Sequence, residues 1–406
     1  MRISRHWLVA GAIASAIIIS AGTRVAPGVF LPLLTNEFGW SRESLGLSVA
    51  VGLVLYGLAG PFVGSLINRI GTRNTAIIGL VLIALSAAIG TTVTNELQFA
   101  IWWGAVSGLG TGIVGGVLGA AVAMRWFVAR RGFVQGIFGA ATSTGQLLFV
   151  PVLALVGAAS GWRAASLLLA LITALIIIPV IWLVRTDPAD VGLTPYGGDA
   201  PPPNTAHAEA GVMRRAVRTP DFWLLASTFF ICGATSNGLI GTHLLAHAVE
   251  HGFTTDVAAG VLALMGTMNF VGTLASGWLT DRYSPRLLLA AYYGFRGLSL
   301  LFLPFVHDPL QLSIFAVLFG LDYIATVPPT VALTSEVFGA RNVGLVYGWI
   351  FFAHQMGAAL AAWLGGVIRD TTGDYLLAFF LAGVTAVIGS ALAARINRPT
   401  PAPAPA

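Results

Sequence analysis

Gly64 to Arg73 reads GSLINRIGTR, and 213 residues further on Gly277 to Arg286 reads GWLTDRYSPR. A glycine, an Asn or Asp, and two arginines hold the same places in both. The same offset lays Phe38-Gly39-Trp40-Ser41 over His251-Gly252-Phe253-Thr254. One shift kept at two separate places marks a duplicated unit. The nature of that unit follows from the apolar runs flanking the two stretches.

Hydrophobic residues make up 56% of the 406 and charged residues only 9%, against roughly 25% charged in a soluble domain. The composition is that of an integral membrane protein, with the lipid bilayer as its first partner. About 20 apolar residues are needed to cross about 30 Å of hydrocarbon. Twelve segments meet that requirement: 7–34, 44–67, 75–94, 98–124, 133–158, 163–184, 220–247, 256–280, 287–306, 310–335, 343–367 and 374–394. The first has a basic flank but is too long for a cleaved signal peptide, so it is kept as a span. All 21 basic residues are arginine. With the N-terminus cytoplasmic, Arg42, Arg163 and Arg369 fall outside, Arg24 and Arg296 fall within the membrane, and the other sixteen lie on the cytoplasmic side. That bias predicts a multi-pass protein of the cell (inner) membrane with both termini cytoplasmic. It also accounts for the net charge of +5 with no nucleic acid as partner. The single cysteine, Cys232, excludes an internal disulfide.

Residues 185–219, RTDPADVGLTPYGGDAPPPNTAHAEAGVMRRAVRT, are rich in Pro, Gly and polar side chains, the composition of a linker. They divide six spans from six. The expected fold is therefore all-α: an N-terminal six-helix bundle over 1–184, a cytoplasmic linker over 185–219, a pseudo-symmetric C-terminal bundle over 220–395, and a disordered cytoplasmic tail over 396–406.

The loop pattern G-x3-[DN]-R-x-G-x-R, with its echo after the eighth span, resembles the signature of the major facilitator superfamily, and the resemblance covers the whole chain. It implies a transporter whose two halves rock about a central site, and a gating role for the loop residues Arg69, Arg73, Asp281 and Arg282. Asn68 stands where the family more often has aspartate. A second stretch, Trp126 to Gly136 (WFVARRGFVQG), resembles the entry to span five in monocarboxylate porters and oxalate:formate antiporters, although Val134 replaces the expected alanine. The G-x3-G-P-x2-G-G pattern of proton-driven drug exporters is missing from that span. The antiporters' span-eleven lysine falls near His354, and their span-eight arginine falls at Thr273. Departure at both charges argues against oxalate itself.

Polar residues deep in the membrane are few enough to weigh one by one, because a charge there costs about 2.5–3.5 kcal/mol on insertion scales. Arg24 lies past the middle of the first span, and the repeat offset sets Asn237 at the equivalent point of span seven. The resemblance implies that these two spans line the cavity. Guanidinium stays charged and offers a fork that suits a carboxylate, so Arg24 is the candidate anion-binding residue. Its bland alternative is a buried arginine satisfied by carbonyls. Imidazole titrates near neutrality and can hold a carboxylate when protonated, a role open to His354 at mid-span eleven. Tyr56, Gln146, His243, Asn269, Tyr323 and Gln355 are further candidate partners. Arg296 and Asp322 fall at one depth on consecutive antiparallel spans, which predicts a buried ion pair. Asp322 is also the only deep carboxylate, and hence the candidate for proton coupling. His243 and His247 stand one turn apart with His251 beyond, but a helix end facing water explains them without a metal.

The function read from these residues is secondary transport of a small organic anion, a monocarboxylate first, by alternating access with proton symport or anion exchange. A sugar or drug exporter of the same superfamily is the alternative. No HExxH, GxSxG, phosphate loop or paired deep carboxylate is present, so no enzyme, no ATP drive and no cofactor are expected, and a monomer suffices.

Overall fold

The computed structural model describes residues 4–40, 42–198, 209 and 211–396. Expectations for Arg2, for linker residues 199–208 and 210, and for Arg398 and the rest of 397–406 lie outside the described residues. Ten helices are long and apolar enough to cross a membrane. Two of them, Arg42–Ile89 and Arg131–Leu183, run to 48 and 53 residues, far beyond the roughly 20 that one crossing needs. Each folds back at a glycine, Gly71 (φ 83°) and Gly161 (φ 82°), in a conformation that a Cβ would strain. Twelve crossings result: α1 (Arg5–Phe38), α2 (42–70), α3 (72–89), α4 (Glu96–Trp126), α5 (131–160), α6 (162–183), α7 (Pro220–Glu250), α8 (Thr255–Thr280), α9 (Pro285–Phe302), α10 (Pro309–Phe338), α11 (Val343–Thr372) and α12 (Leu376–Ala393).

Helix starts follow local chemistry. Thr219 and Asp308 cap α7 and α10, each accepting a backbone N–H from three residues on, and each is followed by a proline at the first helical position. Proline has no N–H to leave unsatisfied there. Most helices outrun the apolar segments expected from composition, since a helix continues through the polar headgroup zone. Only Ile396 is described from the expected tail, and it is fully buried.

The six helices of each half pack together, and the halves meet where α2 runs against α11 and α5 against α8. Residues 69–73, 127–131, 281–286 and 339–342 share one face, here called the basic face. The first part of the linker covers that face of the N-terminal half. Arg125 donates to Asn68 Oδ1 at 3.0 Å and to Asp187 at 3.5 Å, and the Tyr196 N–H donates to the Trp126 carbonyl at 2.9 Å. Asp187 thus supplies a carboxylate to Arg125 beside the place where the loop motif carries Asn68. Farther along the linker, Glu209 pairs with Arg215 and with Arg341 ahead of α11. The Arg341 hydrogen bond holds the Glu209 carboxyl below its ordinary range.

Candidate functional site

A cavity of about 110 Å³ lies between the halves. From the N-terminal half it is lined by Arg24, Tyr56, Gln135, Phe138, Thr142 and Gln146, and from the C-terminal half by Phe229, Cys232, Asn237, Tyr323, Phe351 and His354 among others. Seven sequence-predicted residues therefore converge: Arg24, Tyr56, Gln146, Asn237, Tyr323, His354 and Gln355.

Each is aimed by its backbone. Arg24 sits on α1, which approaches α4 closely enough for Ser20 Oγ to donate to the Thr111 carbonyl at 3.0 Å. Its guanidinium lies 4.9 Å from the centroid of the Tyr56 ring, a cation–π distance. Tyr56 is held from behind by Gly112, where a Cβ would fall 2.6 Å from the Tyr56 carbonyl oxygen. Asn237 lies in a π-helical turn of α7, Ala234–Ile240, a distortion that re-aims side chains and recurs at functional sites. The His354 ring stacks on Phe351 at 6.0 Å with 2° between planes and packs against Phe229 at 4.6 Å. Gln355 lies 3.4 Å from its Nδ1.

Charge is distributed unevenly here. Among the described residues Arg24 has no ion pair and no side-chain hydrogen bond, and no carboxylate lines the cavity. The site is a positive, aromatic-walled chamber with amide and hydroxyl groups at its edges. Such a chamber offers two parallel N–H donors to a planar anion.

Two predicted partners lie elsewhere. His243 follows Asn237 by six residues, a rotation of about 240° on an α-helix, and faces α11 and α12 instead. There its Nε2 donates to the Ala362 carbonyl at 2.8 Å, and its ring packs on Tyr375. Asn269 is tied up behind the wall, donating to Ser143 Oγ at 2.8 Å and accepting from Thr273 Oγ1 at 3.1 Å and the Ile324 N–H at 3.2 Å. His247 and His251 lie against each other, rings tilted, with centroids 4.0 Å apart, and no group of three or more metal-binding side chains occurs among the described residues. Sequence reasoning missed Gln135, Thr142, Cys232, Ser236 and Tyr347 as lining residues.

Arg296 and Asp322 form an ion pair, Nε to Oδ2 at 2.5 Å, with both side chains buried. The pair sits at an irregular turn of α10, residues 323–326. Pro329 donates no N–H to the Ala325 carbonyl four residues back, and Ser276 Oγ donates to it instead at 2.5 Å. Arg296 Nη2 donates to the neighbouring carbonyls of Asp322 at 2.7 Å and Tyr323 at 3.2 Å. Arg296 also reaches Cys232 Sγ at 3.1 Å, so the pair stands one side chain behind the cavity wall.

The cavity is shut toward the basic face. Asp281 accepts from the N–H groups of Gly132 at 2.6 Å and Phe133 at 2.8 Å, bonding the C-terminal half to the start of α5. Behind it α5 and α8 touch backbone to backbone, for a Cβ on Gly136 would fall 2.9 Å from the Thr273 carbonyl oxygen. Arg282 folds back over Trp278 at 3.9 Å. Arg69 and Arg73 make no side-chain hydrogen bond or ion pair among the described residues.

Two six-helix halves about one central chamber, sealed toward the basic face, define a carrier of the membrane-transporter class. The Major Facilitator Superfamily model matches residues 13–321 and 268–406, and the chain belongs to that superfamily. It is 28% identical over 384 residues to the uncharacterized MFS-type transporter YcxA of Bacillus subtilis, covering 88% of each chain. It is 27% identical to monocarboxylate transporter 11 of Homo sapiens, over 98% of this chain and 84% of that one. Among solved structures, the proton:xylose symporter XylE superposes with a TM-score of 0.76 at 16% identity, over 97% of this chain and 96% of that one. The E. coli fucose:proton symporter FucP gives 0.72 at 17%, over 98% and 100%. At those identities the structures speak for the fold alone. These relatives are transporters, and the chain is a membrane transporter, not an enzyme.

Proposed function

We propose that this transporter carries a small organic anion, a monocarboxylate, by alternating access. The observation that carries the reading is the unpaired Arg24 guanidinium in a cavity without a carboxylate. The names of relatives such as monocarboxylate transporter 11 support it. In the state seen here the anion reaches Arg24 from the face opposite the basic one. Its two oxygens accept the guanidinium fork while Tyr56 backs the cation, and His354, Gln355 and Asn237 close on the remaining lone pairs. Release on the basic face requires the Asp281 bonds to Gly132 and Phe133 to break as the halves rock. The arginine bias makes that face cytoplasmic. Coupling is by proton symport or by exchange for a second anion, with His354 and the Asp322–Arg296 pair as the proton-bearing candidates.

Counterflow into proteoliposomes tests the reading, with labelled two- to six-carbon carboxylates, a neutral sugar and an organic cation run in parallel. Accumulation of at least one carboxylate above protein-free vesicles is expected. Accumulation of the sugar or the cation with no carboxylate would transfer the protein to the exporter alternative.

A further inference from the structure

We propose that the carboxylate carried by this site bears an apolar alkyl or arylalkyl tail, and that the tail lies in a groove between α5 and α8. The inference rests on the monocarboxylate reading. A second cavity, of about 510 Å³, adjoins the central one, and Gln146 and Tyr323 line both. Its walls are Leu147, Val150 and Pro151 of α5 facing Leu262, Met265 and Gly266 of α8. No charged residue lines it.

Of the polar groups at its base, Asn269 is already occupied. Asn269 spends its amide on Ser143, Thr273 and the Ile324 N–H. Water in the groove therefore finds few partners, while Leu147 and Val150 each remain 42% exposed. Apolar surface without polar partners favours an apolar occupant. The groove starts at the Asn269–Ser143 hydrogen bond and runs along 143–151 of α5 and 262–269 of α8, away from the sealed basic face. A short acid bound at Arg24 would leave it empty. A longer one, its head on the guanidinium and its chain passing Gln146 and Tyr323, would cover both walls. Each methylene removed from water then strengthens binding by up to about fourfold.

Equilibrium binding to the full chain in nanodiscs, with empty nanodiscs subtracted, tests this with acetate, butyrate, hexanoate, octanoate and 3-phenylpropionate. The expected wild-type result is octanoate binding at least about tenfold tighter than butyrate. Gly266→Leu narrows the groove, because a Cβ there already lies 3.1 Å from Leu147 Cδ2, and it should bring the octanoate-to-butyrate ratio close to one. Ala263→Phe serves the same purpose if the first variant is not monodisperse. Equal wild-type affinities, or a ratio that neither variant moves, overturn the tail site while leaving the monocarboxylate reading intact; in that case the groove holds a bilayer lipid chain. Binding of none of the five acids removes both.

Discussion

Arg24→Gln lowers carboxylate counterflow at least about 100-fold at equal protein in the vesicles. A bidentate guanidinium–carboxylate contact comprises two charge-assisted hydrogen bonds, each contributing about 1.5–3 kcal/mol, and 1.4 kcal/mol is a factor of ten. Glutamine keeps some length and one donor group but loses the charge and the fork. Arg24→Lys restores a point charge without the planar fork and should recover part of the activity, which separates the need for charge from the need for geometry. Tyr56→Leu removes only the ring 4.9 Å from the guanidinium and should have a smaller effect. Wild-type accumulation by the glutamine variant would assign Arg24 to packing and shift the anion toward His354.

The other large effect is on stability. Asp322→Asn leaves the Arg296 charge buried with its carboxylate gone, a change that costs about 3–5 kcal/mol when one partner of a buried pair is removed. Thermal unfolding in detergent should register a large loss. Arg296→Met combined with Asp322→Leu removes both charges and should regain much of it, short of what the Arg296 hydrogen bonds to the carbonyls of Asp322 and Tyr323 contribute. Should Asp322→Asn keep wild-type stability while the pH dependence of transport disappears, the pair belongs to proton coupling and its structural role is refuted.

Much of the fold was legible because the bilayer sets a length that composition must meet. Twelve crossings follow from apolar runs alone. The ends of helices were less legible. Arg5 and Phe38 bound a helix that outruns its apolar run on both sides, and nothing in a hydropathy window marks where a helix stops in the headgroups. At the site, rare residues announced themselves: one arginine, one histidine and a few amides at mid-depth. Gln135, Thr142, Cys232, Ser236 and Tyr347 did not, since small polar and aromatic residues occur on every face of a membrane helix. What decides their role is angular position, which depends on helix rotation and on local irregularities such as the π-helical turn around Asn237. His243 shows the same limit from the other side, since its ring faces α11 and Tyr375 and not the cavity. The irregular turn of α10 was readable in principle from Pro328-Pro329, yet the guanidinium that donates to its carbonyls required the neighbouring helix.

The lone charge at Arg24 has an electrical meaning. A guanidinium keeps its proton at any physiological pH, and the Arg296–Asp322 pair beside the cavity sums to zero. The empty carrier therefore presents one positive charge at mid-membrane, which a bound carboxylate cancels. A membrane voltage acts at about 2.3 kcal/mol per elementary charge per 100 mV, and so it acts on the reorientation of the empty carrier in preference to the crossing of the loaded one. Solid-supported membrane recordings should show a transient current that saturating carboxylate suppresses, whereas a transient equally large with and without the acid would mean that the charge stays fixed while the halves move.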